Sequence, residues 1–444
     1  MTSIMIATMP IHGHVTALLP VARHFAGRGD RVRFLTGARF VETVEATGAE
    51  HLPLPTEIDF DDRQDFNETF PERAHLKGTK ALAHDIEHIF VRPGLAQHDT
   101  IMALHEADPA DVVLIDPAFL GGAFLLGHPL GVRPPIVMSG FCPLMISSRD
   151  TAPSGMGLTP LRGPLGRLRN AALAAITAKA VFGPVERTAD QIFHQLHGRP
   201  IPFAVLDWPR HVEAIVQFTV PEFEYPRSDA PATLHFAGPI TDPVPVSGPL
   251  APPLPPWWPE LDGSRPVVHL TQGTIANKDF GQLIEPALDG LADEDILIAV
   301  ATGGRRVESL PALPANAHAA EFLPYDDLLP KTDVYVTNGG YGGVQYALRY
   351  GVPIVAAAGS HEDKPEVLAR VAWTGVGRRI TTETPSPAQV RRAVRAVLHD
   401  NRYRDAARRI AERMATTRGV HRLAEIVDDL ITDRRRTSFT QQQP

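Results

Sequence analysis

Cysteine is almost missing from this sequence: Cys142 stands alone among 444 residues. A single thiol excludes an intramolecular disulfide and a cysteine-built metal cluster. Cys142 sits in an apolar segment and reads as a small core residue rather than a nucleophile. Long hydrophobic runs are missing too, and no stretch reaches the ~18 apolar residues of a membrane-spanning helix. The N-terminus has no basic region and enters a strand at once, unlike a secretory leader. The cytoplasm is the expected location. There is no block of Lys and Arg, and the formal net charge is −8, so nucleic acid is not an expected partner.

What is present is the composition of a globular protein: 43% hydrophobic and 21% charged residues over a length that suits two domains. Residues 3–9 form a strand-length apolar run followed by His12-Gly13-His14, read as a turn. Val15, Leu18, Leu19, Ala22 and Phe25 then recur at helical spacing. Residues 31–36 read as a second strand, and residues 111–116 as another, with Asp116 at its carboxyl end. Between residues 239 and 266 the chain is so rich in proline that it reads as a semi-rigid linker. The expected division is an α/β domain over 1–238, that linker, a second α/β domain over 267–418, a final helix over 419–433 and a disordered tail over 434–444.

The most informative stretch is 333–366. A short apolar strand, Val334-Tyr335-Val336, runs into a turn holding Gly339, Gly340, Gly342 and Gly343, then a helix expected from about Val344, then a second buried strand from Ile354. Glycines let a ligand approach the backbone, and N–H groups at a helix start face an anion with the helix dipole behind them. A diphosphate suits that arrangement. The spacing is not G-x-G-x-x-G, so a nicotinamide cofactor is not indicated.

Taken whole, T-N-G-G-Y-G-G-V-Q-x-A-L-x-x-G-V-P followed by E-D-K-P-E-V resembles the donor signature of the glycosyltransferases related to UDP-glucuronosyltransferases, which include bacterial enzymes acting on natural products. The resemblance implies a GT-B fold: two Rossmann-like α/β domains facing each other across a cleft. The first would bind the acceptor, the second the nucleotide sugar, and the final helix would return to the first domain. The implied reaction is inverting transfer of a sugar, UDP-glucose being the expected donor and a dTDP-linked deoxysugar the alternative. The implied acceptor is a hydroxyl of a hydrophobic molecule such as a polyketide, macrolide or phenol. Residues 141–179, with Met145, Met156 and Leu158, are either the wall of its pocket or a helical surface insert. The nucleotide sugar would be a co-substrate, with no separate cofactor, and the chain a monomer or homodimer.

The same resemblance nominates residues. His14 matches the family's catalytic base, although Ala17 replaces a proline of that motif, and His12 is its rival at the same turn. An imidazole titrates near neutrality, which suits partial removal of a hydroxyl proton. Asp116 matches the carboxylate that orients the base and stabilises its protonated form; the other reading is an aspartate opening an Asp-Pro turn. On the donor side, Gly273 and Thr274 match a diphosphate-binding turn, and Phe322 stands where relatives stack a tryptophan on the base, unless it is a core residue. Asp363 and Lys364 match an Asp-Gln pair that holds sugar hydroxyls, Lys364 bringing a cation in place of an amide. Asn338 replaces a phosphate-binding histidine. Tyr346 replaces a ribose-clamping glutamate, which Gln345, one residue earlier, does not restore. Asp293-Glu294-Asp295 looks like a metal-binding D-x-D motif but reads as a surface turn, and no metal is expected. The alternatives are a non-catalytic nucleotide-sugar-binding or partner-activating homologue, and a sugar-nucleotide epimerase on the same fold.

Overall fold

A computed structural model describes residues 1–64, 70–76, 78–240, 254–274, 277–357, 359 and 363–441. The first sheet comprises β1 (Ser3–Ala7), β2 (Arg31–Thr36), β3 (Glu50–Pro53), β4 (Val112–Ile115), β5 (Ile136–Gly140), β6 (Ala214–Gln217) and β7 (Leu234–Phe236). All pairs are parallel and the order is β3-β2-β1-β4-β5-β6-β7. The second comprises β8 (Val267–Thr271), β9 (Leu297–Ala301), β10 (Ala317–Ala320), β11 (Val334–Thr337), β12 (Ile354–Ala357) and β13 (Gly377–Ile380), again parallel, ordered β10-β9-β8-β11-β12-β13. Strands such as β4 and β8 are buried at every residue because both faces of a parallel sheet are packed. In each sheet the winding reverses between the first and fourth strands, which opens a crevice at the carboxyl ends of β1 and β4 and of β8 and β11.

Each switch point is followed by a helix that starts earlier than the sequence suggests. His12-Gly13-His14 is the first turn of the His12–Gly27 helix, and the glycine run opens the Tyr341–Arg349 helix. First-turn positions need no N–H partner within the helix, so glycine's weak propensity costs little there.

The last helix, Val420–Gln441, buries Val420, Leu423, Val427 and Ile431 against Ile4, Leu18 and Phe25 of the first unit. It also continues to Gln441, where a disordered tail from 434 was expected. The segment 420–441 contains no glycine or proline, so a polar composition ends the burial without ending the helix. Where this second crossing leaves the second unit it lies beside the first: Gly419 N donates to Ala237 O at 2.8 Å. Residues 241–253 of the expected 239–266 linker lie outside the described residues; its later part, Trp257, Trp258 and Leu261, packs with Val267, Leu297 and Leu328 of the second unit. The acidic triplet 293–295 sits at the amino end of β9, where Glu294 pairs with Arg395 at 2.9 Å, away from the carboxyl-end turns.

His269 on β8 is fully buried between Tyr325 and Tyr335, and its Nδ1 donates to Ala299 O at 2.8 Å. Burial lowers its pKa from 6.5 to about 4. The unfolded chain therefore takes up a proton below pH 6.5 that the folded chain refuses until about pH 4, and stability falls across that window. By pH 5 this one group costs about 2 kcal/mol. Urea unfolding at pH 7 and pH 5 is expected to show that loss shrink in His269→Asn; an unchanged loss refutes the assignment.

Candidate active site

His14 and Asp116 meet where β1 and β4 end. His14 Nδ1 lies 2.6 Å from Asp116 Oδ2. The carboxylate is fully buried, while the imidazole side chain keeps 27% of its surface exposed. Asp116 is held by the backbone around it: Met9 N (3.1 Å) and Thr8 Oγ1 (3.2 Å) donate to Oδ2, and Ala118 N (2.8 Å) donates to Oδ1. A carboxylate only accepts, so Nδ1 carries the hydrogen and Nε2 is the basic nitrogen of the neutral ring. His12 is not part of this pair. Its backbone N–H donates to Asp62 Oδ2 at 2.6 Å, and burial, with Arg39 adding to it against the pull of Asp62, lowers its imidazole pKa.

The second crevice is built from the turns after β8 and β11. Asn338 Nδ2 donates to Gln272 O at 2.6 Å, tying one turn to the other, and Gln272 Oε1 in turn accepts from Leu283 N and Ile284 N. Gly339 adopts φ +90°, a left-handed conformation that side chains rarely take. A Cβ on Gly343 would lie 2.4 Å from Tyr335 Oη, whereas Gly340 and Gly342 face open space. Gly273 also faces open space, with Thr274 exposed beside it. Phe322 is 53% exposed and lies over Gly304, which rules out the core-packing reading. Asp363 stands at the N-cap position of the Lys364–Thr374 helix, and Lys364 is buried at its start. Tyr346 is half-buried, edge-on to Tyr325 at 5.7 Å. Gln345 is committed elsewhere, its Oε1 accepting from Thr219 Oγ1 of the first unit at 2.8 Å.

The two crevices are joined by side chains. His14 stands edge-on to Phe141, ring centroids 5.2 Å apart. Next to Phe141, the carbonyl of Cys142 accepts from Gln217 Nε2 at 2.5 Å, and the same amide donates to the hydroxyl of Tyr341, first residue of the helix after the glycine turn, at 3.4 Å. Burial pushes the Cys142 thiol well up, and the carboxylates of Asp363 and Asp116, one from each unit, push it further. Cys142 is thus a neutral thiol lying between the two sets of residues.

Similarity to known proteins is extensive. Over 430 residues, 96% of this chain and 99% of the other, the sequence is 41% identical to 4'-demethylrebeccamycin synthase of Lentzea aerocolonigenes. The chain belongs to the natural-product glycosyltransferases. Residues 285–432 of this glycosyltransferase match the family described as erythromycin biosynthesis protein CIII-like, C-terminal domain. It is also 34% identical to UDP-glycosyltransferase 2 of Phaeomoniella chlamydospora over 96% of its own length and 95% of that protein's. The calicheamicin glycosyltransferase CalG4 shares the GT-B fold, with a TM-score of 0.72 at 20% identity over 97% of this chain and 98% of that one.

Several residues of the glycosyltransferase's cleft were not singled out by the sequence. Phe141, Gln217 and Tyr341 all stand at or just beyond carboxyl ends of strands, and that position was the available signal. Glu366 had none. Its Oε1 accepts from Gly155 N (3.0 Å) and Gly157 N (2.9 Å), more than two hundred residues away, fixing the loop around Met156 against the helix that starts at Lys364. The segment 141–179 therefore divides: its loop faces the second unit, while the Gly163–Ala180 helix is largely exposed, with Leu165 and Leu168 in solvent.

Proposed function

We propose that this glycosyltransferase moves a sugar from a nucleoside diphosphate, UDP-glucose first among candidates, to a hydroxyl of an apolar small-molecule acceptor, with inversion and without a metal. The observation that carries this reading is the 2.6 Å bond from His14 to the buried Asp116, at the switch point of one sheet and joined through Phe141, Cys142 and Gln217 to the glycine turn of the other. The acceptor hydroxyl gives its proton to His14 Nε2 as its oxygen attacks the anomeric carbon. The imidazolium that forms lies against the Asp116 carboxylate. The diphosphate leaves on the opposite side, towards Gly273, Thr274, Asn338 and the open face of Gly340 and Gly342, where helix-start N–H groups stabilise its charge. Phe322 offers a ring for the base to stack on, and Asp363 and Lys364 offer polar groups to the sugar. Two relatives are named UDP-glycosyltransferase 2 and 4'-demethylrebeccamycin synthase, which supports a UDP-linked donor and a natural-product acceptor, respectively.

The test is incubation with UDP-glucose and a panel of aromatic and polyketide alcohols, with the product's anomeric configuration read by NMR. A β-glucoside formed equally with and without EDTA is the expected result; an α-glucoside, or loss of transfer in chelator, overturns the mechanism. Calorimetry separates the nucleotides. Wild type is expected to bind UDP, and Tyr346→Glu, by supplying a two-oxygen acceptor for the ribose hydroxyls, to bind UDP more tightly than dTDP by about tenfold. Equal gains for both nucleotides would remove Tyr346 from the ribose site.

A further inference from the structure

Away from the His14–Asp116 pair, three helix ends of the first unit bring three imidazoles together. His98 lies on the Gly94–Ala107 helix, His128 just beyond the Gly121–Leu125 helix, and His197 is the last residue of the Gly183–His197 helix. His98 Nε2 and His128 Nε2 are 3.0 Å apart in nearly coplanar rings, 16° between planes. The His197 ring stands edge-on to both, its centroid 4.7 Å from that of His128 and 5.9 Å from that of His98. One ring nitrogen from each residue lies within 4.8 Å of those of the other two. His98 is buried, and the other two are half-buried and reachable from solvent.

Two of the three histidines already have, on the outer nitrogen, the partner that a metal-binding histidine needs. His98 Nδ1 donates to Asp99 Oδ1 at 2.8 Å, and His197 Nε2 donates to the Phe124 carbonyl at 2.9 Å. Both acceptors lack hydrogens, so they fix the tautomers and leave His98 Nε2 and His197 Nδ1 with their lone pairs. Gly127 makes the room: a Cβ there would stand 2.2 Å from His197 Nε2.

We propose that His98, His128 and His197 bind a borderline transition-metal dication of the zinc type, with water as fourth ligand. Bonds of about 2.0–2.1 Å in a tetrahedron place ligand nitrogens about 3.3 Å apart, a small opening of the present His98–His128 contact. An all-imidazole set suits Zn2+ and excludes Mg2+ and Ca2+, which take oxygen ligands. The ion would staple three helix ends and would take no part in sugar transfer.

The test uses the untagged full chain, stripped with chelator and titrated with ZnCl2 in calorimetric competition against a chromophoric chelator. One Zn2+ per chain is expected, with a rise in unfolding temperature. His128→Asn and His197→Gln, each checked for folding by circular dichroism, are expected to lose that equivalent and the thermal shift. Asp99→Asn is expected to weaken binding by about tenfold through loss of the supporting carboxylate. Absence of a stoichiometric site in wild type overturns the proposal. So does a site that survives in both histidine variants, or one removed instead by substituting the stacked pair His84 and His88. Metal content is the readout, so the outcome does not depend on whether the chain transfers glucose.

Discussion

His14→Ala is expected to lower kcat for sugar transfer by roughly a thousandfold while leaving UDP affinity within about twofold, since a positioned general base contributes about 10²–10⁴ and the proposed donor site lies on the other unit. His12→Ala is the control. That imidazole does not face Asp116 and is expected to keep transfer within a few fold. Asp116→Asn is more informative than a truncation. Oδ2 accepts from His14, Met9 N and Thr8 Oγ1, and Oδ1 accepts from Ala118 N. An amide placed with its oxygen at Oδ2 turns its NH2 against the Ala118 N–H. Placed the other way, it opposes the Met9 N–H and forces the hydrogen of His14 onto Nε2, the wrong nitrogen for a base. Either arrangement leaves a buried donor unsatisfied, so kcat is expected to fall by roughly a hundredfold together with a loss of stability of about 1–3 kcal/mol. Full activity in His14→Ala, with steady-state rates measured on UDP-glucose and an accepted alcohol, would remove the base from the mechanism.

The largest stability effect is expected at Arg370, which is 1% exposed and bonds carboxylates from both units: Glu224 Oε2 at 2.8 Å and Glu366 Oε2 at 2.9 Å. Its guanidinium also lies over the Tyr225 ring at 4.3 Å. Burial alone would push the Glu224 carboxyl up, but Arg370 and Arg227 outweigh it and hold it below the ordinary carboxylate range. A carboxylate depressed in this way contributes stability above its unfolded pKa and loses it as the solution is acidified. Arg370→Ala leaves Glu224 and Glu366 buried, with Arg227 still against Glu224, at a cost of about 3–5 kcal/mol. Chemical denaturation near neutrality measures the loss. Arg370→Met combined with Glu224→Gln is expected to recover part of it, because a neutral pair removes the uncompensated charge. A loss below about 1 kcal/mol in Arg370→Ala would mean that water reaches the network and screens it.

The residues legible in the sequence were those whose role is written locally. Strand runs such as 112–115 and 334–337 announce themselves by apolar content, and a residue just past such a run, His14 or Asp116, is at a switch point by topology. The glycine run was legible for the same reason, although its four members divide between conformation, packing and open approach, which only coordinates separate. Phe322 was ambiguous because an aromatic residue reads alike in a core and on a cleft wall; 53% exposure excludes the core. Helix starts were placed late because glycine suppresses the propensity signal at the very turn where the helix tolerates it. The contacts that join the units, Glu366 to Gly155 and Gly157, Gln217 to Tyr341, and Thr219 to Gln345, pair residues more than a hundred positions apart and leave no periodicity to find.

The backbone passes between the units twice, and the bond from Gly419 N to Ala237 O places the two passages side by side. Tethers at opposite edges of a cleft would hold it at a fixed width, whereas two adjacent ones define a single axis. Opening about that line would have to break the contacts that Arg370, Glu366 and Gln345 make with Glu224, Gly155, Gly157 and Thr219 of the first unit. Substrate entry and product release would then be one rotation run in opposite senses, with those contacts as the latch.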